Sequence, residues 1–158
     1  MAFAETTSVP FERSISEIVT LIKRAGAGQI IQAEGDGEFV IQFSLSDRQI
    51  RFRVPLHTQY HGPTKSGNGR AINGEKVLDQ RNRQRGRALL LVIKAKLESA
   101  ESGIETVEQA FLANVVTAGG QTVYERIVAP IAEEYRTGLP SPTVGLLPAP
   151  HPTPKEPS

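Results

Sequence analysis

Glu38-Phe-Val-Ile-Gln-Phe-Ser-Leu45, the dipeptide Ser46-Asp47 and Arg48-Gln-Ile-Arg-Phe-Arg-Val-Pro-Leu56 decide the fold of this chain. In the first run Phe39, Ile41, Phe43 and Leu45 alternate with Val40, Gln42 and Ser44. In the second, Ile50, Phe52 and Val54 alternate with Arg51 and Arg53. A period of two predicts strands with one face on a core and the other toward solvent. Ser46-Asp47 is short enough for a tight turn between them. Upstream, Gln29 to Glu34 followed by Gly35-Asp36-Gly37 predicts a first strand and another hairpin, which makes a three-stranded antiparallel meander.

Helical signals flank the meander. Ser14-x-x-Glu17 has the form of a capping box, and Ile15, Ile18, Val19 and Ile22 follow at helical spacing. Lys23 and Arg24 suit the C-terminal end of that helix, and Gly26 and Gly28 its termination. A second helix is expected from about Glu75 to Ser102, where Ala88 to Ile93 is apolar almost all round and implies central burial. Thr106-x-x-Gln109 opens a short helix through Phe111 and Leu112, and Asn114 to Thr117 reads as a short strand. Thr122-x-x-Glu125 opens a last helix to Thr137, with Val123, Ile127, Ile131 and Tyr135 as its apolar stripe and a kink expected at Pro130.

The expected class is therefore α+β, a three-stranded antiparallel meander packed on a long central helix with N-terminal and C-terminal helices. Its expected division is a flexible N-terminus over 1–8, one domain over 9–137 and a proline-rich disordered tail over 138–158, where seven of twenty-one residues are proline. His57 to Gly74, polar and glycine-rich, reads as a long mobile loop.

Charge is unevenly spread. Between Arg48 and Lys96 stand twelve Lys and Arg against Glu75 and Asp79 alone, a local charge of +10. The rest of the chain carries −9, which gives the net charge of +1. Arg51, Arg53, Lys65, Arg70, Arg81, Arg83, Arg85, Arg87 and Lys94 are the candidate nucleic-acid-binding residues, because the planar fork of Arg makes bidentate contacts to phosphate. A groove built from the third strand and the long helix would track a nucleic-acid backbone, with the Lys65 to Arg70 loop offering backbone amides from above. Tyr60 and Phe3 are the candidate stacking residues for a single strand.

Signals for catalysis are missing from the sequence. There is no cysteine, no phosphate-binding P-loop motif and no G-x-S-x-G, so no catalytic residue, metal or cofactor is expected. His57 and His61 have H-x3-H spacing, but a zinc site needs more ligands than they supply. Glu98 with Glu101, and Glu133 with Glu134, read as solvated helix surface. The longest apolar run is six residues, against roughly 20 for a membrane span. Without a signal-peptide pattern at Met1 to Ser8, a cytoplasmic location is expected.

Arg85-Gly-Arg-Ala-Leu-Leu-Leu-Val-Ile-Lys-Ala-Lys-Leu-Glu98, Gly103-Ile104, Glu108-Gln-Ala-Phe-Leu-Ala-Asn-Val-Val116 and Gly120-Gln-Thr-Val123 resemble a family of small uncharacterised bacteriophage and prophage proteins. Val9-Pro10, Ile50 to Leu56 and Leu146-Leu-Pro-Ala149 fit the same resemblance. Element order alone is similar to the Rad52-like phage single-strand annealing proteins, which hold one DNA strand in a basic groove. These resemblances imply a non-catalytic accessory of phage recombination or replication in the bacterial host cytoplasm. They imply single-stranded DNA as the favoured partner and a possible homo-oligomer. A phage anti-defence protein that binds a host protein or signalling nucleotide is the alternative, and a non-catalytic assembly protein a third reading.

Overall fold

A computed structural model describes residues 7–141. The expectations for residues 1–6 and for the proline-rich segment from 142 onward fall outside the described residues. Strands β1 (Gly28–Gly35), β2 (Glu38–Leu45) and β3 (Arg48–Pro55) form one antiparallel sheet in that order. Four helices accompany it among the described residues: α1 (Phe11–Arg24), α2 (Gly74–Glu101), α3 (Val107–Phe111) and α4 (Val123–Thr137). The class is α+β, as the alternation and the helical spacing predict.

Register follows from the hydrophobic pattern. Phe39 faces Val54, Ile41 faces Phe52 and Phe43 faces Ile50, so every large apolar pair falls on one side of the sheet. A slip of one residue would turn all of them outward. Both hairpins close through left-handed residues, Asp36 and Gly37 at φ 51° and 73°, and Ser46 and Asp47 at φ 48° and 59°. Such turns match the right-handed twist of the strands they join. On the core side lie Ile15, Ile18 and Ile22 of α1, Leu89, Leu90 and Ile93 of α2, and Ala110 and Phe111 of α3. The molecule is thus a sheet with one helical layer over one face.

Helix α1 starts a turn earlier than Ser14-x-x-Glu17 suggests, with Pro10 at its N-cap and no side-chain cap. Pro10 lacks the N–H that a helix start leaves unpaired, and Phe11 packs edge-on against Phe39 at 5.3 Å, so burial sets the start. Ser14 is fully buried and its Oγ has no hydrogen-bond partner. The other two capping boxes form as read, Thr106 with Gln109 and Thr122 with Glu125.

Helix α2 runs over the expected span but is not enclosed. Only Gly86, Leu89, Leu90 and Ile93 are buried, while Leu91 and Val92 are 37% and 45% exposed. With α1 beside it and the sheet beneath, the two layers of the described residues hold no third element to cover its outer side. Gly86 marks the closest approach of α1 and α2, since a Cβ there would sit 2.7 Å from the Phe11 ring. Gly86→Leu is expected to force the helices apart and cost about 1–3 kcal/mol in a denaturant titration. A variant as stable as the parent would contradict this packing.

The connection from Leu56 to Asn73, expected to be mobile, is hydrogen-bonded to itself and to α2. His57 N–H donates to Asn82 Oδ1 at 2.8 Å, and Asn82 Nδ2 donates back to the His57 carbonyl at 3.0 Å. Ile72 N–H reaches the Thr64 carbonyl and Ser66 N–H the Arg70 carbonyl, each at 2.8 Å, which makes 64–72 a small hairpin. Tyr60 fills its base, donating to the Pro63 carbonyl at 3.0 Å and packing where Gly62 and Gly74 leave room.

Beyond α3 a 3-10 turn (Leu112–Asn114) leads the chain along the free edge of β3. Val115 bridges Ile50, Val116 N–H donates to the Gln49 carbonyl at 2.8 Å, and Val116 bridges Thr122. The expected short strand is thus a pair of single bridges. This docking carries the N-terminus of α4 to the solvent-side residues of the sheet. Helix α4 then continues through Pro130 to an αL cap at Gly138, and none of its residues is fully buried. No helix among the described residues is long and apolar enough to cross a membrane.

Candidate polyanion interface

The candidate cations fall into three separate groups. Arg51 and Arg53 alternate with the core residues of β3 and so project from the face of the sheet opposite to α1 and α2. There they meet carboxylates. Arg51 donates to the Gly120 carbonyl at 2.6 Å and pairs with Glu125 at 3.4 Å, with only 14% of its side chain exposed. Arg53 pairs with Glu38 at 2.7 Å and with Glu125 at 3.6 Å. One groove running from β3 to α2 is therefore not what this chain builds. The sheet itself separates the two sets, and Glu125 and Glu38 neutralise the first.

The helix divides its own arginines as well. At 100° per residue, positions 83, 87 and 94 share one flank of α2, and 81 and 85 share another. Arg83 bonds Asp79 at 2.6 Å and reaches the Ser8 carbonyl at 3.3 Å. Arg87 bonds Glu17 at 3.2 Å across the seam with α1. Lys94 lies further along that seam, beside Arg24 and Leu21.

Arg81 and Arg85 turn instead toward the folded connection. The Arg81 guanidinium lies 5.9 Å from the centre of the Tyr60 ring, a cation–π arrangement. His57 is held below its ordinary pKa of 6.5, first by burial and then by the charges of Arg85 and Arg81. Lys65 and Arg70 stand in the adjacent hairpin, both exposed. No carboxylate of the described residues lies within ion-pairing distance of Lys65, Arg70, Arg81, Arg85 or Lys94.

Of the backbone amides expected to approach phosphate in the Lys65 to Arg70 loop, three are engaged within the hairpin. Ser66 and Gly69 amides are spent within the hairpin, and the Arg70 amide donates to Asn68 Oδ1 at 3.3 Å. Beside its remaining amides the hairpin offers the side-chain charge of Lys65 and Arg70, both exposed. Tyr60, a stacking candidate from its sequence position, is the aromatic beside the unpaired cations; Phe3 lies outside the described residues. Pairing of Arg51 with Glu125 has no sequence signal beyond a capping box, because the two are separated by 74 residues.

Among the described residues no three His, Asp or Glu gather as metal ligands would. Comparison with protein-family models, with curated proteins and with solved structures finds no match.

Proposed function

We propose that this chain is a non-catalytic binder of polyanions, single-stranded nucleic acid foremost, and that the surface around Tyr60, Arg81 and Arg85 is where it binds. The observation that carries the reading is selective neutralisation. Carboxylates engage the arginines of β3 and the α1-facing arginines of α2, but Arg81, Arg85, Lys65 and Arg70 have none among the described residues. A guanidinium group over an aromatic ring, with a second arginine along the same flank of α2, suits a strand whose phosphates are held by charge and whose bases stack. The resemblance to phage proteins supports a place in phage DNA recombination or replication within the bacterial cytoplasm.

The test is fluorescence anisotropy with a labelled single-stranded oligonucleotide at several salt concentrations. Arg81→Glu with Arg85→Glu should weaken binding at least tenfold and lower the salt slope by about 1 for each phosphate no longer neutralised. Arg53→Gln, which removes a cation already paired, should change it little. Equal effects of the two changes, or none from either, would remove the assignment.

A further inference from the structure

His57 is fastened to α2 by its backbone, through the two hydrogen bonds it exchanges with Asn82. Its imidazole is half-buried, and no ion pair among the described residues engages it. On α2, Asn82 follows Arg81 and stands three residues before Arg85. At 100° per residue Arg85 falls between the other two in angle, so the three share one flank. A backbone hooked to Asn82 therefore passes beside both arginines. Three residues on, Tyr60 lies against the Arg81 guanidinium. The segment 57–60 thus carries an ionisable ring onto the flank of α2 whose arginines have no paired carboxylate among the described residues.

Two elements meet the connection here: α2, and the turn between β1 and β2, whose Gly37 carbonyl accepts the Leu56 N–H at 2.7 Å. Asp36 and Glu38 are the acidic groups at that turn, and Glu38 is committed to Arg53 on the far side of the sheet. Tyr60, His61, Lys65 and Arg70 are the ionisable groups of the connection itself. The charges that act on the His57 ring are those of Arg85 and Arg81, and both oppose its protonation, as burial does. Arginine stays charged at every working pH, so the histidines are the groups of this surface that change charge near neutrality. Of the two, His57 is the one on which both guanidinium charges act.

On the strength of the proposed nucleic-acid surface, we infer that His57 belongs to it: its imidazole takes a proton from solvent as a strand binds, and becomes a third cation beside Arg81 and Arg85. In the free protein the two guanidinium charges are unanswered, and a third positive charge near them is unfavourable. A phosphate held by those arginines reverses the sign of the local field. An opposite charge within about 4–6 Å favours the protonated ring, which then donates a charge-assisted hydrogen bond to the phosphate. Binding and protonation assist each other by one and the same factor. Affinity therefore climbs as pH falls from the bound-state midpoint of His57 to its lower free-state midpoint, and levels off below that.

NMR of the full chain, with the His57 ring signals identified by their loss in His57→Gln, follows the titration with and without oligothymidylate. The oligonucleotide should raise the His57 midpoint by about one pH unit, a tenfold coupling. Anisotropy on the same probe should show parent affinity rising about tenfold as pH falls from about 8 to about 5. His57→Gln should bind as the parent does at the alkaline end and lose the rise, whereas His61→Gln should keep it. Without any oligonucleotide, Arg85→Gln should raise the midpoint by itself, since one repelling charge is gone. Binding with an unmoved midpoint would overturn the inference and leave the proposed surface standing, and so would a rise that survives in His57→Gln. An Arg85→Gln midpoint equal to that of the parent would overturn it too, by separating the ring from the arginine. No binding by the parent at any pH would overturn both the inference and the surface.

Discussion

Phe111→Ala is expected to cost about 3–5 kcal/mol of folding stability, a large share of the whole for a domain of this size. Phe111 is fully buried, and its ring stands edge-on to Phe43 and to Phe52, each at 6.2 Å between centres. Removing it leaves a cavity lined by the two strands that hold the meander together, and those strands, fixed in register along their whole length, cannot close around it. Helix α3 has five residues and little stability of its own, so Phe111 is also what fastens the chain from Val107 onward to the sheet. A urea titration should show the midpoint fall sharply. The same measurement on Tyr124→Ala, at an exposed position of α4, should move it by no more than about 0.5 kcal/mol. A Phe111 variant that loses less than that control would mean the ring contacts do not hold the layers together.

Local rules made most of the fold legible. Alternation in Glu38 to Pro55 marks both strands and tells which residues of each face the core, and the turn residues fix the register. Two of three capping boxes are real because nothing competes with them. At Ser14 the pattern misleads, since burial of Phe11 on Phe39 outweighs a cap worth about 1 kcal/mol. The apolar run in α2 misleads for a different reason. Hydrophobicity records what a helix can bury, while the number of layers decides what it does bury, leaving Leu91 and Val92 outside.

The site was half legible. Period two places Arg51 and Arg53 correctly on the solvent side of β3. The same alternation, followed through, puts them on the opposite face from anything packed on the core, so a groove shared with α2 is excluded by the pattern that suggests it. No local pattern reveals that Glu125 meets both arginines, because that contact depends on the path of the chain after Phe111. Tyr60 is visible as an aromatic in a polar segment. Its pairing with Arg81 is not, since it rests on the fold of the connection around Gly62 and Gly74.

Glu125 links these two lessons, and Glu125→Ala is expected to cost about 2 kcal/mol, from the removal of a helix cap together with a largely buried Arg51 deprived of its counter-charge. Its Oε2 accepts the Thr122 N–H at 2.7 Å, and Thr122 Oγ1 accepts the Glu125 N–H at 3.2 Å. The Thr122 amide is the main reason its carboxyl titrates below the ordinary 4.5, and the charges of Arg51 and Arg53 act in the same direction against the cost of burial. A lowered folded-state pKa means that the unfolded chain takes up the proton first. This contribution is therefore complete above pH 4.5 and is lost as pH falls through the folded-state value. Thermal unfolding followed downward from neutral pH should show the parent losing stability in that acid range more steeply than the variant, and parallel curves would contradict the assignment. Glu125→Gln keeps an acceptor for the Thr122 amide but removes the charge, so it should recover part of the stability and none of the acid dependence. Both variants also strip a counter-charge from Arg51 and Arg53. If the carboxylates of this face are what keep it from gripping polyanions, oligonucleotide affinity should rise in them, opposite in sign to the fall expected from Arg81→Glu and Arg85→Glu.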